Sequence, residues 1–234
     1  MKKLILFAIS LLLCTGAMAQ KDTIPNKTKE ENKVEVVRDR LIFDIYHSFW
    51  MGAPAEGEFM KFDPGFNISA LWDFKLPQSK HISFGLGVGV TFYSQYSNCF
   101  LKYDKDEDIT KYYIIPSSVK YKFSRMSYIN CNLPIEIRYR HSCGFKIDAG
   151  VHVGIVAGLA HRYKGPHYNG VEDEYLNFKD RNFYNKEKFS ADVFIRMGWK
   201  SFGVYYSYQL TNIFKDGKGP KMHPMSVGIS ISLF

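Results

Sequence analysis

The amino-acid sequence predicts an all-β fold, an eight-stranded antiparallel up-and-down transmembrane β-barrel with short periplasmic turns and long extracellular loops. Three observations predict it. Between residues 40 and 234, apolar and polar residues alternate in eight separate segments. Successive strand side chains point to opposite faces, so each segment has one apolar and one polar face. The links between segments are alternately tight and long, which is the plan of outer-membrane barrels. Finally, the polar parity mixes glycine and serine with charges of both signs, a set suited to a narrow filled interior.

Met1 to Ala19 reads as a secretory signal peptide: Lys2 and Lys3 precede an apolar run from Leu4 to Leu13, and Ala17-Met18-Ala19 offers small residues for cleavage. Cys14 follows Leu13, too large a neighbour for a lipid-modified cysteine. Residues 20–39 are polar without apolar period and read as a flexible periplasmic tail, leaving 40–234 for the barrel.

The first segment, Leu41 to Trp50, sets Phe43 and Ile45 against Asp44 and Tyr46. The second opposes Phe66, Ile68, Ala70, Trp72 and Phe74 to Asn67, Ser69, Asp73 and Lys75, and a turn at Pro77-Gln78-Ser79-Lys80 follows. In the third, Ile82, Phe84, Leu86, Val88, Val90 and Phe92 alternate with Ser83, three glycines, Thr91 and Tyr93. A long polar stretch, Tyr96 to Ser127, carries the acidic run Asp104 to Asp108, and its part from Tyr112 to Phe123 reads as an extra hairpin arm. The fourth and fifth segments form the clearest hairpin, Asn130 to Leu159, turning at His141-Ser142-Cys143-Gly144. Its apolar parity holds Cys131, Leu133, Ile135 and Ile137, then Ile147, Ala149, Val151, Val153, Ile155, Ala157 and Leu159. After a loop from Arg162 to Lys188, the sixth segment opposes Phe189, Val193, Ile195 and Met197 to Ser190, Asp192 and Arg196. The seventh opposes Val204, Tyr206 and Tyr208 to Tyr205, Ser207 and Gln209, and the eighth opposes Val227, Ile229 and Ile231 to Ser226, Gly228 and Ser230.

Alternation alone leaves open which face is outside. A soluble lipocalin-like barrel would show the same period with its apolar set inward. The charged parity decides for an interior network of Asp44, Asp73, Lys75, Glu136, Arg138, Arg140, Lys146, Asp148, His152, Asp192 and Arg196. Facing lipid, each Lys or Arg would cost about 2–4 kcal/mol at the midplane; facing inward they can pair.

The formal charge is +8, from 31 Lys and Arg against 23 Asp and Glu. Both signs are interspersed, which argues against nucleic-acid binding. No P-loop, dinucleotide fingerprint, zinc spacing or nucleophile elbow occurs, so no cofactor, metal or catalytic residue is expected. The acidic run lacks the Gly and distal Glu of a calcium loop. His47-Ser48 and His161 suggest, as the competing class, a lipid-modifying barrel enzyme of the lipid A deacylase or acyltransferase type. Adjacent strand residues point apart, so His47 cannot serve Ser48. Of the three cysteines after the leader, Cys99 and Cys131 are expected at the same end of neighbouring strands and form the one plausible disulfide. Cys143 lies at the other end.

The segment from Tyr128 to Tyr139, with Leu133-Pro134 at its centre, and the closing Val227 to Phe234 resemble the outer-membrane β-barrel proteins of the Bacteroidetes, of PorT type and OmpA/OmpX-like. Phe234 departs from that pattern by lying on the polar parity. The resemblance implies an outer-membrane location and a non-catalytic structural or surface-binding role. It also implies contacts with outer-membrane lipid or lipopolysaccharide, the barrel assembly machinery, and an extracellular or secretion-system protein.

Overall fold

The computed structural model describes residues 36–53, 57, 62–76, 79, 81–167 and 175–233. The expected leader, most of the expected tail, the centre of the turn at 77–80 and Phe234 lie outside the described residues. Eleven strands are present: β1 (Val36–Met51), β2 (Pro64–Lys75), β3 (Ile82–Tyr96), β4 (Cys99–Asp104), β5 (Ile109–Ile114), β6 (Phe123–Arg140), β7 (Phe145–Pro166), β8 (Tyr175–Asp180), β9 (Phe189–Trp199), β10 (Phe202–Gln209) and β11 (His223–Leu233). Eight of them close a ring in the order β1, β2, β3, β6, β7, β9, β10, β11, with β11 pairing back onto β1. Every pairing is antiparallel. The remaining three lie at the long-loop end, where β4 and β5 form a hairpin and β8 extends the sheet from the upper part of β7.

The polarity of the wall answers the question alternation left open. Ile137 is 63% exposed and Ile229 55%, whereas Asp44, Arg138 and Asp148 are fully buried. A soluble barrel with an apolar lumen requires the reverse. The exposed parity, including Ile45, Ile68, Val88, Leu133, Val153, Val193, Val204 and Val227, runs round the ring as one apolar belt. Such a belt greatly exceeds the apolar patch of a soluble monomer.

Four details differ from the sequence reading. The strand β1 begins at Val36, inside the segment read as tail, with Val36 opposite Phe74; backbone pairing continues where apolar alternation has stopped. The extra hairpin is Cys99 to Ile114, turning through the acidic run, not Tyr112 to Phe123. The central hairpin is longer than Asn130 to Leu159, because Phe123 still pairs with Lys164 once the outward residues have become polar. Last, Ile129 pairs with Gly158 but Asn130 with Val156, so Ala157 is an extra residue, a β-bulge. Beyond it the parity inverts: Ile155 is exposed and Leu159, expected on the same face, is buried inward.

Close approaches at Gly228 and Gly65 make room for the inward rings. A Cβ at Gly228 would lie 2.1 Å from the Ile45 carbonyl oxygen, and one at Gly65 would lie 2.2 Å from the Tyr46 ring.

Candidate functional site: the filled lumen and its crown

Inward-facing residues of β1, β2, β6 and β9 meet in a chain of charges. Arg196 on β9 donates from Nε to Asp44 Oδ1 at 3.0 Å and from Nη2 to Asp44 Oδ2 at 2.7 Å. Its Nη1 reaches Glu136 Oε2 at 2.8 Å. Glu136 also accepts from Arg138, which in turn donates to Asp73. Two guanidiniums thus hold three carboxylates, all buried. Burial without partners would cost several kcal/mol per ion, so each partner's place depends on the others. A neutral layer continues the chain: Asn67 donates to Asp44 at 2.8 Å, Thr91 to Asn67 at 3.0 Å and Asn132 to Thr91 at 2.6 Å.

Nearer the short turns, Arg140 pairs with Asp148 and Lys146 donates to Ser232 at 2.8 Å. Towards the long loops, His152 Nδ1 lies 2.6 Å from Asp192 and its ring stacks on Phe194 at 4.1 Å. Lys75, named from the sequence for this network, is exposed at the last position of β2 rather than buried in the lumen.

Above the charges lies an aromatic layer that the sequence reading did not single out. Tyr46, Tyr93, Tyr128, Tyr205 and Phe194 point inward, with Tyr46 to Tyr93 at 5.7 Å, Tyr46 to Tyr205 at 5.5 Å and Tyr93 to Tyr128 at 5.7 Å. Arg196 sits 4.3 Å from the Phe194 ring centroid. The legible signal was the placement of these large rings on the polar parity. Tyr46 and Tyr205 both stand opposite Gly228, which supplies their room.

The long-loop end is closed by its own core, where Leu101, Phe183, Ile213, Phe214 and Met222 pack onto the tyrosine layer. Polar ties join three loops there: Thr110 donates to Asn185 at 2.8 Å, the Thr110 N–H donates to the Lys218 carbonyl at 2.9 Å, and Asn185 donates to that same carbonyl. The acidic run is bound into this crown. Lys111 meets Asp104 at 3.0 Å and Glu107 at 2.9 Å; Asp108 accepts from Tyr103 at 2.7 Å and pairs with Lys218 at 3.0 Å. Lys111 draws the Asp104 carboxyl below its usual range, as Tyr103 and Lys218 do for Asp108.

The histidines and serines do not assemble a hydrolytic site. His47 faces outward, accepting at Nδ1 from the Asp63 N–H at 2.8 Å, while Ser48 faces inward against Ser226 at 3.3 Å. His161 Nε2 does lie 2.9 Å from Ser124 Oγ, but that hydroxyl donates to the Cys99 carbonyl at 2.5 Å. Both residues are buried, and no acid bonds His161 Nδ1. Burial lowers the His161 pKa to about 4 and raises that of Asp63, in the first long loop, to about 6.

The expected Cys99–Cys131 disulfide is absent: Cys99, Cys131 and Cys143 are free thiols. β6 starts eight residues before Cys131, which therefore lies opposite Val90 in mid-wall and faces outward, while Cys99 is buried in the crown.

No family model and no curated protein matches the chain. Among solved structures it is similar to Ail, the attachment invasion locus protein of Yersinia pestis, with TM-score 0.41 and 10% identity over 83% of this chain and 97% of that one. The same protein in complex with the heparin analogue sucrose octasulfate gives TM-score 0.39 and 10% identity over 84% and 100%.

Proposed function

We propose that the protein is a small integral outer-membrane β-barrel whose role is structural and surface-binding, by adhesion or partner docking through its crown. The carrying observation is the apolar belt around a closed ring whose interior is charged and paired. Only lipid rewards that polarity. The long-loop end is the extracellular one, and its exposed Tyr113, Tyr175 and Tyr184 are the rings available to a protein partner. The lumen is plugged by its ion pairs and tyrosines, so it conducts no ions. Outer-membrane lipid or lipopolysaccharide and the barrel assembly machinery are its other partners. The Leu133-Pro134 strand supports a place among the PorT-type barrels of the Bacteroidetes.

Outer-membrane fractionation and heat-modifiable migration on gels test the reading; recovery as a water-soluble periplasmic protein would end it. Stable large-conductance channels in planar bilayers would remove the plugged lumen. The non-catalytic role is supported by the committed hydroxyl of Ser124, and turnover in a lipid A deacylation or acyl-transfer assay would overturn it.

A further inference from the structure

Outside the lumen, among the described residues, a row of basic side chains forms no ion pair with an acid. Arg125 on β6 stands directly opposite Arg162 on β7, and Arg162 stands directly opposite Lys179 on β8. Like charges facing each other across neighbouring strands destabilise a sheet. Arg181 comes two residues on, after Asp180, whose neighbour across the strand pair is His161. Burial pushes the Lys179 pKa down, and Arg181, Arg125 and Arg162 push it in the same direction. Among the described residues none of the four forms an ion pair. Arg125 makes one hydrogen bond, from Nη1 to Tyr96 at 3.1 Å, and its Nε is buried without a partner.

The position of this row matters as much as its charge. Arg125 is four residues beyond Ile129 of the apolar belt, or roughly 13 Å along the strand and less along the membrane normal when the strand tilts. Lipid headgroups occupy that level. Aromatic rings flank the row: Arg125 lies 5.6 Å from the Tyr96 centroid and Arg162 5.5 Å from that of Phe123. Directly below Arg125 and Tyr96, a groove of about 510 Å³ runs down the outer wall between Phe43, Ile45, Phe66, Ile68 and Phe92.

We propose that Arg125, Arg162, Lys179 and Arg181 bind the phosphate groups of an outer-leaflet membrane lipid, one of whose acyl chains lies in the groove below Arg125. Guanidinium pairs match phosphate oxygens bidentately, and an anion between them removes the repulsion along the row. A lipid is favoured over a soluble polyanion because the charged row is continuous with the apolar belt. This site rests on the membrane reading of the barrel.

The full chain is reconstituted in phosphatidylcholine nanodiscs containing diphosphoryl lipid A or its dephosphorylated form, and bound lipid is measured by native mass spectrometry. The expected result is retention of the diphosphoryl lipid at least tenfold above the dephosphorylated one, with R162E/K179E abolishing that preference and K105Q leaving it intact. Should R162E/K179E fail to give the heat-modifiable folded band, R162Q/K179Q replaces it, with a severalfold loss expected. Equal retention of the two lipids, or a preference unchanged in the folded variants, overturns the site. So does stronger competition by a soluble sulfated glycan or inorganic phosphate than by the lipid. A chain that does not enter nanodiscs defeats the membrane reading itself.

Discussion

The barrel wall and the crown obey opposite rules within one chain. In the wall, Leu133 and Ile229 face out while Arg138 and Asp44 are buried; in the crown, Leu101, Ile213 and Met222 are buried while Lys105 and Asp106 face out. The difference teaches that burial follows the solvent rather than the fold. Apolar groups leave water in the crown, and charges leave lipid in the wall. β7 passes through both regimes. Its bulge at Ala157 shifts the side-chain period by one residue just where the outward set changes character. Below the bulge Val153 and Ile155 face out; above it Leu159 and Tyr163 turn in and Arg162 faces out. One inserted residue fits a single strand to two solvents.

The sharpest way to break this comparison is to remove a charge from each region. Arg196→Met strands Asp44 and Glu136 in the lumen, and breaking a buried network from one side costs about 3–5 kcal/mol. The folded, heat-modifiable band should then lose its urea midpoint by a wide margin or fail to form. Lys111→Met removes the half-exposed partner of Asp104 and Glu107 and should leave the midpoint where it was. Equal midpoints for the two variants would mean that the lumen is hydrated and its charges are not interdependent.

The tyrosine layer between the two regions is next in size. Gly65→Ala drives a methyl into the Tyr46 ring and should cost about 1–3 kcal/mol, as overpacking does. Adding Tyr46→Ala removes the ring contact and leaves only the 2.8 Å approach to the Phe92 carbonyl oxygen, so the double variant should be more stable than the sum of the two single losses predicts. Additive losses would place the ring elsewhere.

How much the sequence disclosed divides along the same boundary. The eight wall strands are legible because their alternation is strict, and Asp44, Glu136, Arg138 and Arg196 are assigned to the lumen by their shared parity together with their charge. Beyond the belt that constraint ends. Arg125 and Ser127 continue β6 with no apolar period, and the β4–β5 hairpin is hidden in a polar run. The bulge left no sign because Ala157 fits either face. The Cys99–Cys131 pairing fails for the same reason, since the alternating pattern that marks β6 starts well after Phe123, where the strand itself begins.

Two titrating groups on the loop side should separate crown from wall by pH. Asp63 is raised to about 6 by burial, so between about pH 4 and 6 the folded state holds a proton that the unfolded chain releases; its contribution falls as pH rises through that window. His161 is lowered to about 4, so its effect runs the other way: stability falls as pH drops below about 6.5 towards 4. Hydrogen exchange of β4 and β5 amides, corrected for intrinsic rate, should speed up on acidification in the native chain and much less in His161→Gln. Asp63→Asn keeps an acceptor for the Tyr96 N–H and should flatten the opposing slope in the first loop. Wall amides of β2 and β3 should show neither trend, and a wall that tracks the crown would join the two regions into one cooperative unit.

The smallest effects concern the thiols, and they report the two solvents directly. Cys143 sits exposed in the β6–β7 turn, Cys131 faces outward in mid-wall, and Cys99 is buried in the crown, where burial raises its thiol pKa. A water-soluble maleimide added to protein in open membrane fragments should modify Cys143 quickly, Cys131 only after the lipid is replaced by denaturant, and Cys99 only on unfolding, since the thiolate is the reactive form. Cys131→Ser should shift the unfolding midpoint by no more than about 0.5 kcal/mol, the range for a substitution without buried partners. Cys99→Ser, by contrast, should loosen the crown and leave the wall unaffected. Rapid aqueous labelling of Cys131 in the membrane would place that face in water, and the contrast between wall and crown would lose its cause.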